Sequence, residues 1–381
     1  MSNTVVRTAA ARAVSNGKLV KKLLSIPGVT FVGVGKKTIS GKATDEDAII
    51  VGVVTKVDEQ NLNKSLLIPK EIGKVRTDVV ETGVITLKSS PDPASGMSAT
   101  PRRMTVAGSG TPDRCTAIKA VDCTSFMHPG TRTIEHNPAP GGVSIGHHDI
   151  TAGTLGMLVV KNGTHYILSN NHVLADCNQG AYGDEICQPG PYDGGKQTRA
   201  TLYQFIPIRA SGETTSQCRI ASLVCGAINI VARVFGRSTF LVPVKEQSGD
   251  NLVDCALAEP VDVSTFSACV LEVGLPGAII TEPVVGMDVK KSGRTTGLTK
   301  GKITAVNVTA QVLMGDWIAV FIDQIAMTHM VDGGDSGSIL FDDTPENNVV
   351  GLCFAGSDTV SFANRFSNVV DVLGLEGYEH G

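Results

Sequence analysis

Residues 332–338 read Asp-Gly-Gly-Asp-Ser-Gly-Ser and run straight into the apolar stretch Ile339, Leu340, Phe341. Glycines on both sides of a serine allow a tight turn that exposes the hydroxyl and keeps side chains away from whatever it meets. Such a turn aims the backbone N–H groups of Gly334 and Ser336 into one space, where they can hold an oxyanion. A lone Gly-Asp-Ser-Gly is equally consistent with a glycine-rich turn between two strands. What separates the two readings is whether a base and an acid stand elsewhere in the chain.

A candidate base is His172. Residues 156–160 read as a strand, Asn162-Gly163 is a two-residue hairpin signal, and residues 165–169 read as the return strand. Asn170, Asn171 and His172 follow where that strand leaves the sheet, a position from which an imidazole can act as general base. The other histidines are expected to be packed or on the surface. His147 and His148 are adjacent, point to opposite faces of a strand and make a poor metal pair. His329 is expected near a substrate pocket. A candidate acid is Asp254, the one carboxylate in an apolar strand over residues 251–258. A carboxylate among apolar neighbours is costly without a partner, and an imidazole N–H is a suitable one. Asp250 and Asp262 flank that strand, where solvated acids are normal.

The order His172, Asp254, Ser336 excludes the other common arrangements of these three groups. The gaps are 254−172 = 82 and 336−254 = 82 residues, each enough for most of a β-barrel. Residues 141 to 375 resemble a trypsin-like serine peptidase. Ser-Asn-Asn-His-Val-Leu-Ala (169–175), Val-Asp-Cys-Ala-Leu-Ala (253–258) and Gly-Gly-Asp-Ser-Gly-Ser (333–338) carry the resemblance. Ser-Gly-Arg-Thr-Thr-Gly (292–297) is similar to a segment of the bacterial streptogrisin and α-lytic branch. The chain as a whole looks closer to a group of bacterial trypsin-like proteins and the plant NARROW LEAF 1 proteases. Gly-Val-Gly-Lys (33–36), Ile-Pro-Lys (68–70), Thr-Asp-Val-Val-Glu (77–81), Gly-Val-Ser-Ile-Gly (142–146) and Thr-Ala-Gly-Thr-Leu-Gly (151–156) carry that likeness.

The fold class expected is mainly β: two antiparallel Greek-key β-barrels of the chymotrypsin type, preceded by a small α+β N-terminal domain. The N-terminal domain covers 1–88, with a helix over 12–24 and strands at 29–37, 48–57 and 74–86. Residues 89–140 form a Pro/Gly/Ser-rich linker and lead-in, and 141–375 the barrels and a closing helix at 366–373. Arg102-Arg103 in the linker reads as a solvated basic pair, with autoprocessing there as the sharper alternative. Val, Ile, Thr and Gly are abundant and aromatic residues reach only 4% of the 381, which suits β-structure.

A net charge of −4 implies no general affinity for nucleic acid or anionic membrane, and no apolar run approaches the ~20 residues of a membrane span. The N-terminus lacks a signal-peptide core, so a cytoplasmic protein with reduced cysteines is expected. Nine cysteines without a C-x-x-C pair give no metal site, and no cofactor is expected. Cys177 with Cys187 and Cys218 with Cys225 are the pairs that would revise the reduced state.

The resemblance implies a serine endopeptidase acting on protein or peptide substrates. Ser336 is its nucleophile, His172 its base, Asp254 the group that orients the base, and the amides of Gly334 and Ser336 the oxyanion hole. It further implies that Phe354, Ala355 and Gly356 pair with the substrate backbone as an added strand. Met330 would set the pocket floor and favour neutral or apolar residues, with Asp332 at the rim. Arg294 would neutralise a buried Asp335. The plant group implies a homo-oligomer. A dormant protease-fold scaffold or binding protein is the alternative from another class.

Overall fold

The computed structural model describes residues 8–39, 42–88, 123–126, 131–150, 152–215, 224–225, 244–247 and 249–378. Arg102-Arg103, most of the expected linker and Cys218 lie outside these residues. Strands dominate, and they form two barrels with a further sheet grown from the second.

Two helices, α1 (Ala9–Val14) and α2 (Gly17–Leu24), replace the one expected over 12–24. The break has a local cause. The Asn16 side chain accepts from the N–H groups of Lys18 and Leu19, so the helix is started anew at an N-cap. Ala10, Val14, Val20 and Leu23 cover β1 (Val29–Ile39), β2 (Lys42–Val53) and β4 (Val75–Glu81) through Val32, Val34, Ile49, Val51 and Val75. β3 (Glu71–Ile72) edges this sheet.

The first barrel uses β7 (Ser144–His147), β8 (Gly153–Thr154), β9 (Met157–Lys161), β10 (Thr164–Ser169), β11 (Glu185–Cys187), β12 (Thr198–Phe205) and β15 (Ala256–Pro260). Their order is β8-β7-β11-β12-β15-β10-β9. β8 and β9 are consecutive halves of one run that turns at Gly156, whose N–H bonds Leu168 O at 3.0 Å, so the chain itself closes the ring. β6 (Ala139–Gly141) runs parallel to β16 (Phe266–Val270) beside it, and β13 (Gly212–Thr215) pairs β14 (Val244–Gln247) as a separate ribbon.

The second barrel is β17 (Asp288–Gly293), β20 (Ile339–Asp342), β21 (Val349–Gly356), β22 (Val360–Arg365), β19 (Trp317–Thr328) and β18 (Gly297–Met314), closed because β17 also pairs β18. Helix α4 (Phe366–Leu373) seals it with Phe366, Val369 and Leu373, over the span expected.

β1 also pairs β18 antiparallel, Phe31 opposite Ala310 and Gly35 opposite Ala305. The N-terminal strands and the second barrel therefore share one sheet, and Phe31, Ile85, Phe321, Phe354 and Phe362 occupy one core. From β4 the chain crosses that core at Ile85, 1% exposed, into β5 (Thr86–Leu87).

Cys123 is disulfide-bonded to Cys269, which corrects the expectation of reduced cysteines. Cys177, Cys187, Cys225, Cys255 and Cys353 are free, so the Cys177–Cys187 alternative is not formed. Sequence spacing could not find the pair that does form, because 146 residues separate its members. Among the described residues no helix is long and apolar enough to cross a membrane.

Candidate active site

His172 stands on the one-turn helix α3 (Asn171–Leu174), entered from the end of β10 through Asn170. The residues after it have unusual backbone. Asp176, Cys177 and Asn178 all have positive φ, 45°, 51° and 77°. Such conformations cost energy in non-glycine residues and need support from the surroundings. The support is polar: Asn171 and Asn178 exchange hydrogen bonds at 2.8 and 3.0 Å, and Asn178 reaches Ile208 with both ends of its amide. The helix that presents His172 is thereby tied to the chain at 206–208, where Ile206 O accepts from Asn171 at 2.7 Å.

Asp254 lies two residues before β15 begins at Ala256, not within the strand as expected. Leaving the strand frees its backbone for other partners. Its N–H donates to Asn364 Oδ1 at 3.0 Å, and its carbonyl accepts from Asn170 Nδ2 at 2.7 Å. The carboxylate is fully buried and receives His172 Nδ1 at 2.5 Å and the His172 N–H at 3.3 Å. Nε2 of His172 is buried and, among the described residues, has no hydrogen-bond partner.

Ser336 sits in a turn built by its own backbone. Asp335 N–H bonds Asp332 O and Ser338 N–H bonds Asp335 O, each at 3.0 Å, while Gly334 and Gly337 take φ of 98° and 95°. A side chain at 337 would be excluded twice, by that φ and by Ser169 Oγ, which would lie 2.1 Å from its Cβ. The first barrel grips this turn. Thr154 N–H bonds Ser336 O at 2.7 Å and Thr154 Oγ1 donates to Gly334 O at 2.8 Å. Gly153 joins the two halves of the site, since a Cβ there would lie 2.5 Å from Val173 and 3.1 Å from Ser336 O. The Ser336 hydroxyl donates to Phe354 O at 3.1 Å.

Asp335 is fully buried, and its cation is Lys291, with Nζ 3.2 Å from Oδ2. The expected pair with Arg294 is not formed. Arg294 instead grips Asp193, Nη2 to Oδ1 at 2.5 Å and Nε to Oδ2 at 2.9 Å, above the ring of Tyr192. The reason is the strand geometry. Lys291 lies inside β17 with its side chain toward the second barrel's interior, where its head donates to Gly297 O and Thr296 Oγ1 as well. The Thr-Thr pair after Arg294 does contribute, because the N–H groups of Thr295 and Thr296 reach Asp335 Oδ1 at 2.8 and 3.1 Å.

Met330 is buried among Val331, Ile303 and Met327 in the second barrel, and its N–H bonds Ser361 Oγ at 3.0 Å. His329 and Asp332 face each other at 3.5 Å and are partly exposed. Phe354, Ala355 and Gly356 form the end of β21. There the edge beyond Cys353 is taken by β5, with Ala355 opposite Leu87 and Gly356 opposite Thr86. Lys88 N–H bonds Phe354 O at 3.2 Å, and Lys88 O accepts from Gly334 N–H at 2.5 Å and Ser336 N–H at 3.4 Å. Sequence reasoning missed Lys88, Lys291, Asn178 and Asn364. The first two carried no motif, and the asparagines act through contacts spanning 30 and 110 residues.

His147 and His148 do not point to opposite faces. β7 ends at His147, so strand alternation stops there, and the two rings stack at 4.3 Å. With Asp149 they form a cluster of metal-ligand type, but hydrogen bonds among its members and to Asp184 and Glu185 engage its nitrogens.

No family model matches the chain, and no curated protein does. Solved structures similar to it include Thermobifida fusca protease A, 16% identical over 64% of this chain and 98% of that one, TM-score 0.40. Cellulomonas bogoriensis chymotrypsin is 18% identical over 64% and 99%, TM-score 0.39, and Nocardiopsis protease 13% over 63% and 98%, TM-score 0.39.

Proposed function

We propose that the chain is a serine endopeptidase. The observation that supports this most is one short sequence of contacts. A buried Asp254 holds Nδ1 of His172, Nε2 of His172 has no hydrogen-bond partner among the described residues, and the amides of Gly334 and Ser336 converge on a single carbonyl oxygen. Ser336 Oγ attacks the carbonyl carbon of a bound peptide after turning from Phe354 O toward His172. Nε2 takes its proton and returns it to the leaving amine, while Asp254 fixes the tautomer and stabilises the imidazolium. The two amides receive the oxyanion. Phe354, Ala355 and Gly356 take the substrate backbone as an added strand once residues 86–88 have left that edge.

The Cys123–Cys269 disulfide also bears on where this happens. Disulfides persist in oxidising compartments, and we propose such a setting in place of the cytoplasm first expected.

The test is hydrolysis of unfolded casein by the purified protein and by Ser336→Ala. Proteolysis by the first and none by the second is the expected result. An inactive wild-type protein whose Ser336 also resists an organophosphonate would leave a protease-fold binding protein instead.

A further inference from the structure

On the footing of that peptidase reading, we propose that the chain is its own first substrate: Ser336 cleaves in cis the peptide bond that follows Lys88.

Residues 85–88 already lie as a substrate lies. Thr86 and Leu87 extend β21 antiparallel at Gly356 and Ala355. Lys88 N–H bonds Phe354 O, and its carbonyl oxygen sits between the amides of Gly334 and Ser336 at 2.5 and 3.4 Å, bracketing the ~2.7–3.1 Å of an oxyanion hole. Lys88 is 9% exposed and its side chain runs against Gly356, where a Cβ would lie 3.1 Å from Cε. A loop that merely passed the site would not satisfy the strand edge and both oxyanion amides at once. Nor is the segment loosely held. Ile85 is 1% exposed in the core with Phe31 and Phe354, and its carbonyl accepts from Leu313 N–H at 2.9 Å. The N-terminal sheet thus delivers one particular carbonyl to the nucleophile, which converts a bimolecular encounter into an intramolecular one.

The chemistry balances with water as the only co-reactant. Ser336 Oγ bonds to the Lys88 carbonyl carbon as its proton passes to His172 Nε2. The C–N bond breaks, and the proton goes to the departing α-amine of Ser89. Water, deprotonated by His172, then releases Lys88 as a carboxylate and restores Ser336. The products are an 88-residue piece and one of 381−88 = 293 residues. No cysteine lies in residues 1–88, so no disulfide can join the two. The β1–β18 pairing keeps them together without one.

Freshly expressed wild-type protein, Ser336→Ala and His172→Ala are compared by intact mass under non-reducing denaturing conditions and by N-terminal sequencing. Expected are two pieces from the wild type, one beginning at Ser89, which co-elute on native gel filtration. The two variants stay single chains, and circular dichroism checks that they are folded. The half-time of cleavage should not change over a tenfold dilution. Tagged Ser336→Ala mixed with wild-type protein should stay uncut, because its own strand fills its own site. A wild type that hydrolyses casein yet stays joined at 88–89 overturns the proposal and leaves the peptidase reading standing. A wild type that does neither overturns both. Cleavage in Ser336→Ala, or at a rate proportional to concentration, also overturns it.

Discussion

A carboxylate with no solvent exposure needs a partner, and Asp254 has one imidazole and one amide to share between its oxygens. Replacing it with asparagine keeps the shape but lets His172 adopt the wrong tautomer, so kcat for peptide hydrolysis is expected to fall about 10⁴-fold with KM little changed. Near-normal turnover in Asp254→Asn would remove Asp254 from the mechanism. Asp335 poses the same problem and solves it with Lys291. Burial pushes the Lys291 ammonium below the ordinary lysine value of 10.5, and the Asp335 carboxylate opposes that shift. Between the two values the unfolded chain holds more protons, so this group makes stability rise with pH across a window that ends near 10.5. In the folded protein the same deprotonation strips Asp335 of its cation. An alkaline limb in kcat/KM is therefore expected below pH 10.5, moved upward in Lys291→Arg. Lys291→Met should cost about 3–5 kcal/mol by urea unfolding or abolish activity. The need for a cation at Asp335 was legible from its expected burial beside Ser336. Which cation was not, because a strand's alternation turned the lysine inward and Arg294 found Asp193 first. Burial also lifts the Cys353 thiol to about 12, so native Cys353 should resist iodoacetamide at pH 8 that modifies it in urea.

Among the elements, those with a strong local signature were legible and those fixed by a remote partner were not. The hairpin around Asn162-Gly163 and the closing helix stand where the sequence puts them, since turn chemistry and spacing are local properties. The break at Asn16 was hidden because the apolar spacing continues across it. β5 was invisible for a plainer reason. Two residues have no period, and they become a strand only because β21 offers them an edge. Ile85 holds that element, and Ile85→Ala is expected to destabilise the fold by about 2–4 kcal/mol in urea titration. The edge itself demands glycine at 356. A Cβ there would lie 2.8 Å from Val360 O as well as against Lys88, so Gly356→Val should raise KM for peptides far more than it lowers kcat.

At the scale of the whole molecule, the two barrels were legible because gaps of 82 residues separate His172 from Asp254 and Asp254 from Ser336, each enough for most of a barrel. The junction between the N-terminal strands and the second barrel was not, because it pairs residue 31 with residue 310. Its consequence is that β1 covers an edge of β18 while Phe31 and Ile85 fill part of a shared core. A chain starting at residue 89 is expected to bind a hydrophobic dye and melt at lower temperature, whereas an unchanged melting curve would show an independent unit. The proposed chemistry rests on one serine, and one measurement reaches it most directly: peptide mapping after treatment with a fluorophosphonate. The expected result is a single adduct on Ser336, formed in the wild type and lost in His172→Ala. An adduct on another serine, or one on Ser336 that forms as fast without His172, would contradict it.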